Sequence, residues 1–215
     1  MHTQPRSDLL EVRKSKFALP HCERASTYFD QSYMQNPLRR LRLQISCSGP
    51  SGMNLLFPKM FHHWQTLRLL DLSRNNLDTD DIVNLCNGMK VEESSSPLEV
   101  LDLSYNCRIG NSGAVHILQR TMHSKRLRAV LLKCTGVDDR GAVALHPFLK
   151  SRPVPEALPE GVEPIRTDQC SNYAHFYLNL NENFIGSVGT DVLGKQLPAY
   201  ISLTVTKQKY AKSLP

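Results

Sequence analysis

The chain has 215 residues, 40% of them hydrophobic and 21% charged, with a formal net charge of +6. This balance excludes a disordered polyampholyte, and no apolar run approaches the roughly 18 residues that a membrane span needs. The N-terminal residues lack the apolar segment of a secretory signal and include acids that mitochondrial transit peptides usually lack. We therefore expect a cytoplasmic protein rather than a mitochondrial or secreted one.

Residues 1–37 precede the first repeated motif and are expected to form an N-terminal cap or extension. Within them, the segment SDLLEVRKSKF (residues 7–17) predicts a short helix, with Asp8 near its start. The chain carries a net charge of +4 up to residue 42 and another +4 after Asp191. The basicity therefore lies at the two ends, where it suits contact with an acidic surface.

A leucine-rich phrase recurs along the middle of the chain. LRLLDLSRNNL begins at Leu67 and LEVLDLSYNCRI begins at Leu98. Both follow the template Leu-x-x-Leu-x-Leu-x-x-Asn-x-Leu, and the second has one extra residue after its Asn. Weaker copies begin at Leu38, Leu127 and His175, so the starting positions are nearly evenly spaced except for a longer last step. A period of about 30 residues predicts a stack of about five repeats.

Each repeat has the pattern of a strand, a turn and a helix. The Leu-x-Leu alternation predicts a short strand with one buried face, and the Asn can bond backbone groups where the chain turns away. Small residues (Gly113, Gly141, Gly189) open the helices, where close packing leaves little room. The last step contains a Pro-rich insertion, residues 151–173. We expect it to be a loop that leaves the body at the edge joining helices to strands.

Residues 198–215 end the chain. Their alternation of Ile201, Leu203 and Val205 predicts a closing strand. The basic tail beyond this strand contains Lys207, Lys209 and Lys212. We expect the tail to contact an acidic partner surface, such as that of tubulin or RNA.

The two strong copies make the chain resemble a leucine-rich repeat protein of the long, ribonuclease-inhibitor-like type, over residues 38–197. The resemblance implies an α/β solenoid in which a curved parallel sheet lines the concave face and helices line the convex face. One repeat cannot bury its own apolar face, so stacking of about five repeats would supply the core. The cap (1–37) and the closing strand with its basic tail (198–215) flank this domain.

Strand positions between the leucines are predicted to face the concave side and to contact a partner. They grade from basic at the first strand, through two aspartates, to aromatic residues near the last. This mixture suits a protein-binding face better than a nucleic-acid groove. The candidates are Arg40, Arg42, Arg68, Asp71, Arg74, Asp102, Tyr105, Arg128, Phe176, Tyr177 and Asn179.

Motifs for cofactors, metals and catalysis are weak. GTDVLGKQ, from Gly189, resembles a phosphate-binding loop, but Gln196 replaces the hydroxyl residue that would bind magnesium. The six cysteines include no C-x-x-C pair, and the histidines lack metal-ligand spacing, so we expect free thiols and no zinc. We predict no enzyme activity, no cofactor, no small-molecule substrate and no membrane contact.

The sequence favours a non-catalytic protein-interaction module, a scaffold subunit of a larger intracellular assembly. Short repeat proteins of this type are frequent in ciliary and flagellar axonemes, where tubulin offers an acidic surface, so the axoneme is one candidate location. Two alternatives stay open. One is a ribosomal or ribonucleoprotein component whose basic ends contact RNA, and the other is a regulatory adaptor of a GTPase or a ubiquitin ligase.

Overall fold

The structure is a computed structural model that describes residues 9–15, 39–45, 57, 65–88, 96–158, 160, 161, 163, 165 and 175–206. The basic tail predicted to meet an acidic partner, Lys207, Lys209 and Lys212, lies outside the described residues, as do most of residues 1–37. The contact predicted for the tail therefore stays a prediction.

The described residues form one parallel sheet with helices between its later strands. Its seven strands pair in chain order, each one parallel to the next. The strands are β1 (Leu9–Ser15), β2 (Arg40–Ile45), β3 (Leu69–Asp71), β4 (Val100–Asp102), β5 (Ala129–Leu131), β6 (Phe176–Asn179) and β7 (Ile201–Thr204). The helices are α1 (Thr79–Gly88), α2 (Gly110–Thr121), α3 (Asp139–Lys150) and α4 (Ser187–Leu193). This alternation confirms the predicted α/β repeat fold.

The leucines of the template form continuous lines across the sheet. Leu70 is in register with Leu101, Leu101 with Val130, and Val130 with Leu178. All four side chains are fully buried in one core, together with the apolar residues of the helices. We call one strand, with the turn and any helix that follow it, a rung. Each rung therefore covers the apolar face of its neighbour, as the repeat period predicts.

The N-terminal segment departs from the prediction. The short helix expected over residues 7–17 is wrong, because Leu9–Ser15 form a strand paired in parallel with β2. Leu10 is in register with Leu41, and Val12 with Leu43. The step from Leu10 to Leu41 equals the step between the starts of the two strong copies. This segment is therefore a further strand of the repeat stack, although its sequence has too few of the template residues to be recognised as a copy.

The template asparagines link neighbouring rungs. Asn106 Oδ1 accepts hydrogen bonds from the backbone N–H groups of Asn75 at 2.9 Å and Leu77 at 3.0 Å, while its Nδ2 donates to the carbonyls of Leu72 and Leu103. One amide thus satisfies backbone groups on two rungs at the turn, as predicted. Asn183 bonds in the same way to the rung before it.

Helix entry is tightly packed, as predicted. A methyl group at Gly141 would overlap Asn111 Oδ1, and one at Gly189 would lie 2.5 Å from Asp139 Oδ1. Both oxygens are engaged: Asn111 Oδ1 accepts from the N–H of Asp138, and Asp139 Oδ1 accepts from the N–H of Gly189. The small residues therefore make room for the polar contacts that join each helix start to the next.

The predicted closing strand is present as β7. It pairs with β6, and Ile201, Leu203 and Val205 pack, partly buried, against the main core. The last template rung is therefore covered on its outer side by a strand rather than left exposed.

Candidate protein-binding surface

The described part of the insertion reaches, at Ile165, the face of the sheet opposite the helices, which we call the open face. Ile165 is 3% exposed and packs with Leu69, Val100, Ala129 and Leu131, which lie at the third and fifth template positions. These positions were predicted to face a partner on the concave side. A segment of the chain's own insertion occupies the apolar middle of that surface instead.

Residues at the second template position anchor the insertion. The Nη2 of Arg68 donates to the carbonyl of Glu163 at 2.7 Å, and the N–H of Ile165 donates to Glu99 Oε2 at 3.4 Å. Arg128 Nη2 donates to the carbonyl of Glu156. Arg68 and Arg128, predicted as partner contacts, therefore bind the insertion. Arg128 is moreover only 3% exposed.

The prediction that Phe176 faces a partner is wrong. Sequence reasoning placed its ring on the partner-facing surface, but the ring is fully buried in the main core. Because side chains alternate along a strand, Phe176 points to the same side as the buried Leu178. Arg152 covers the ring, with its guanidinium carbon 3.6 Å from the ring centroid.

Arg152 is a buried cation at the start of the insertion. It is 2% exposed, and burial lowers its pKa to about 9. Its Nε and Nη2 have no hydrogen-bond partner among the described residues, while its carbonyl accepts from the hydroxyl of Tyr200 at 2.6 Å. The chain holds this charge against the Phe176 ring at a cost in solvation energy.

The polar residues at the fifth template position close turns. Asp71, Asp102 and Asn179 each accept a hydrogen bond, through Oδ1, from the N–H two residues later, at 2.9 to 3.0 Å. Asp71 is in register with Asp102, and Arg42 Nε lies 2.8 Å from Asp71 Oδ2. Burial, then the charge of Asp71, raises the pKa of Asp102 to about 6. These side chains have a local structural role before any partner binds.

The residues at the eighth template position share an unusual backbone conformation. Arg74, Tyr105, Cys134 and Glu182 have φ values of 63°, 61°, 53° and 58°. A non-glycine residue rarely adopts a positive φ, and here the turn of every one of these rungs imposes it. The repeat therefore places one side chain per rung along the C-terminal ends of the strands.

Three of these side chains, together with Lys133 of the seventh position, form what we call the rim row: Arg74, Tyr105, Lys133 and Glu182. The Arg74 guanidinium carbon lies 4.0 Å from the centroid of the Tyr105 ring, and the Lys133 ammonium lies 5.3 Å from the same centroid. Lys133 Nζ lies 2.9 Å from Glu182 Oε1. Hydrogen bonding to Glu182 raises the pKa of Lys133. Arg74 and Glu182 are exposed, and the other two are half-buried.

The structure thus separates the predicted candidates into groups. Arg40 is exposed on β2, and Tyr177 is half-buried with its hydroxyl 3.0 Å from Thr204 Oγ1. Lys133 and Glu182 were not among the candidates, although the template assigns them the seventh and eighth positions. The template had placed both positions on the concave face, so the signal was present although the two residues were not selected. Partner binding by any of these residues stays a prediction.

Within the described ranges, no three His, Cys, Asp or Glu side chains come together to hold a metal ion. No helix in that part of the chain is long and apolar enough to cross a membrane. Residues 189–193, the start of the loop-like motif, are helical and belong to α4.

Comparison with known families agrees with the fold. Residues 63–86 and 94–118 match the family model described as Leucine Rich repeat. The matches include β3 with most of α1 and β4 with most of α2, and the described strands beside them pair in the same parallel order. No curated protein matches the chain.

Proposed function

We propose that this leucine-rich repeat protein is a non-catalytic protein-binding module whose partner contacts the rim row. The observation that carries the proposal is the alignment of Arg74, Tyr105 and Glu182 by a turn conformation that recurs in their rungs. Lys133, from the rung of β5, contacts both Tyr105 and Glu182. Leucine-rich repeats commonly serve protein–protein interaction, which supports the class of function.

The rim row has the chemistry of an interface anchor. Tyr and Arg are among the residues that most often dominate binding energy, and the Tyr105 ring lies close to two cations. Arg74 presents a guanidinium that suits a carboxylate of the partner, and Glu182 presents a carboxylate that suits a Lys or Arg. The neighbouring open face is less accessible because the insertion packs on it.

The finer proposal is a subunit of a larger intracellular assembly, with the ciliary or flagellar axoneme as its candidate location. The basic ends of the chain support contact with an acidic surface in that assembly. The ribonuclease-inhibitor-like type of repeat belongs to the same proposal. Its support is the length of the repeat period together with the helix that follows each strand from β3 to β6.

A comparison of matched variants tests whether the partner binds the rim row. Tagged wild-type protein, Tyr105→Asn and Arg74→Ala would each be used to capture partners from the native cell, followed by mass spectrometry and by affinity measurement on the recovered partner. Asn tolerates the positive φ of position 105, so this change removes the ring with little backbone strain. We expect at least ~10-fold weaker binding for each variant.

Arg140→Ala is the control, because Arg140 is an exposed arginine on the helix side and its loss changes the net charge by the same amount as Arg74→Ala. Unchanged affinity for Tyr105→Asn and Arg74→Ala would refute the rim row as the binding surface. The salt dependence of binding separates the alternatives. An RNA partner predicts a steep, linear fall of the log affinity with log salt concentration.

A further inference from the structure

Two cysteines from neighbouring rungs touch beside the rim row. The Sγ atoms of Cys107 and Cys134 lie 3.3 Å apart, and Cys107 Sγ lies 3.4 Å from the carbonyl oxygen of Cys134. Both are free thiols; Cys107 is exposed and Cys134 is half-buried. The third free cysteine among the described residues, Cys86, is buried in the core.

The contact follows from two departures from the repeat template. The second strong repeat has one extra residue between Asn106 and Ile109, in the turn that contains Cys107. The following rung has Thr135 in place of the template asparagine. The carbonyl of Thr135 accepts from the N–H of Gly110 at 2.8 Å, which joins the two altered turns.

The backbone leaves Cys107 little freedom to move away. Gly136 has a φ of +84°, and a methyl group there would lie 2.5 Å from the carbonyl oxygen of Cys107. The turn of one rung therefore packs directly on the turn of the next. Because the rungs hold both thiols in place, the effective concentration of one thiol at the other is high.

We infer that Cys107 and Cys134 are a modification site, at which a reversible disulfide links the rung of β4 to the rung of β5. The oxidant is a small disulfide of the glutathione class. The exposed thiolate of Cys107 attacks one sulfur of glutathione disulfide, forms a mixed disulfide and releases one glutathione thiolate. The Cys134 thiolate then attacks Cys107 Sγ, forms the protein disulfide and releases the second glutathione thiolate. Two protein thiols and one glutathione disulfide become one protein disulfide and two glutathione molecules.

The order of attack follows from the surroundings of each thiol. Burial first, and then the neighbouring Cys107, raise the pKa of Cys134 to about 11, so Cys134 is a poor first nucleophile. Once Cys107 is in a mixed disulfide it carries no thiolate charge, and the contribution of its charge to the raised pKa is removed. Lys133, which is next in sequence, lowers the pKa of Cys134.

The test uses the full chain in glutathione buffers of increasing oxidised fraction. Samples are quenched with acid, alkylated and analysed by intact mass and by non-reducing peptide mapping. The wild type is expected to lose two alkylatable thiols together and to yield a linked Cys107–Cys134 peptide. Cys107→Ser and Cys134→Ser are each expected to lose that peptide, and Cys134→Ser to accumulate glutathione on Cys107. Cys86→Ala, the control, is expected to keep the linked peptide.

Three results would overturn the inference. The first is glutathione stably attached to Cys107 in the wild type with no linked peptide. The second is a linkage from either cysteine to a different one. The third is equal alkylation of both thiols at every buffer ratio while the circular dichroism spectrum stays that of the folded chain. Conversely, if excess reduced glutathione restores both thiols of the oxidised protein, the disulfide is reversible.

Discussion

Arg68 and Glu99, on neighbouring rungs of the sheet, form an ion pair with 2.5 Å between Nε and Oε1. Both also bind the insertion, Arg68 through the carbonyl of Glu163 and Glu99 through the N–H of Ile165. The pair therefore joins two rungs of the repeat to a segment that lies far beyond them in the chain. It holds the insertion to the sheet at Glu163 and Ile165.

Replacing Glu99 with Gln is expected to loosen the insertion. Glu99 accepts hydrogen bonds with both carboxylate oxygens, and Gln would place an NH2 donor against one of the two N–H groups. An unmade hydrogen bond to a charged group at a buried site costs about 1.5–3 kcal/mol. We expect at least ~10-fold faster hydrogen exchange at the N–H groups of Glu156 and Ile165, measured by mass spectrometry or NMR.

Glu160→Gln is the matched control, since Glu160 is an exposed carboxylate of the same insertion. Its exchange rates should equal those of the wild type. If Glu99→Gln behaves like this control, the ion pair does not hold the insertion in place.

Replacing Arg152 with Met is expected to stabilise the fold. Arg152 is a buried cation whose guanidinium lies on the ring of Phe176. Replacing a buried ion pair with apolar side chains of similar volume is often neutral or stabilising by about 1–4 kcal/mol, and a buried charge without an ionic partner lacks even the attraction within such a pair. Met can still cover the ring. We expect a gain of about 1–2 kcal/mol in the free energy of unfolding, measured with urea.

Lys150→Met is the control, because Lys150 is exposed at the end of α3, and it should change stability by less than ~0.5 kcal/mol. A loss of stability in Arg152→Met would show that the charge itself is satisfied in the folded chain.

The pKa of Asp102 predicts a pH-dependent effect of Asp102→Asn. The folded-state pKa, about 6, lies above the ordinary value, mainly through burial. The contribution of this group to stability is therefore complete below pH ~4, where Asp102 is protonated, and is lost as the pH rises through the folded-state pKa. Asn carries no charge at pH 4 or at pH 7. Like Asn179, it can accept a hydrogen bond from the N–H two residues later.

Asp102→Asn should therefore be more stable than the wild type at pH 7, by about 1–2 kcal/mol, and equal to it at pH 4. Denaturant unfolding at the two pH values measures the difference. Asp138→Asn is an informative contrast, since hydrogen bonding from the N–H of Gly141 lowers the pKa of Asp138. If Asp102→Asn raised the free energy of unfolding by the same amount at both pH values, the raised pKa of Asp102 would be contradicted.

Asn183→Ala is expected to be strongly destabilising. Its side chain accepts from the N–H groups of Thr135 and Val137 and donates to the carbonyls of Leu132 and Leu180. Ala would leave these buried backbone groups unpaired, so we expect a loss of at least ~3 kcal/mol. Thermal and urea unfolding measure it. Gln119→Ala, at an exposed position of α2, is the control, and a similar small change in both variants would refute the energetic role of the Asn183 side chain.

The sequence by itself determined the repeat architecture. The Leu-x-Leu alternation and the template Asn follow from local periodicity and from the bonding capacity of one side chain. The residues that make a contact common to all rungs therefore recur in the sequence at the same spacing. Even β1, which was predicted to be a helix, carries this alternation in Leu10 and Val12. Its neighbouring charged residues hid the pattern in a single copy.

Only the tertiary structure decided what lies against the open face and which rim residues meet. Ile165 and Phe176 show why. Ile165 packs on Leu69, and Arg152 covers the Phe176 ring. The two residues of each contact are far apart in the chain, and no periodic rule relates their positions. The insertion lies outside the repeat, so its path is set by long-range packing and by its bonds to side chains of the sheet. Local patterns fix the rungs because every rung repeats the same interactions, whereas a contact made once must be found in three dimensions.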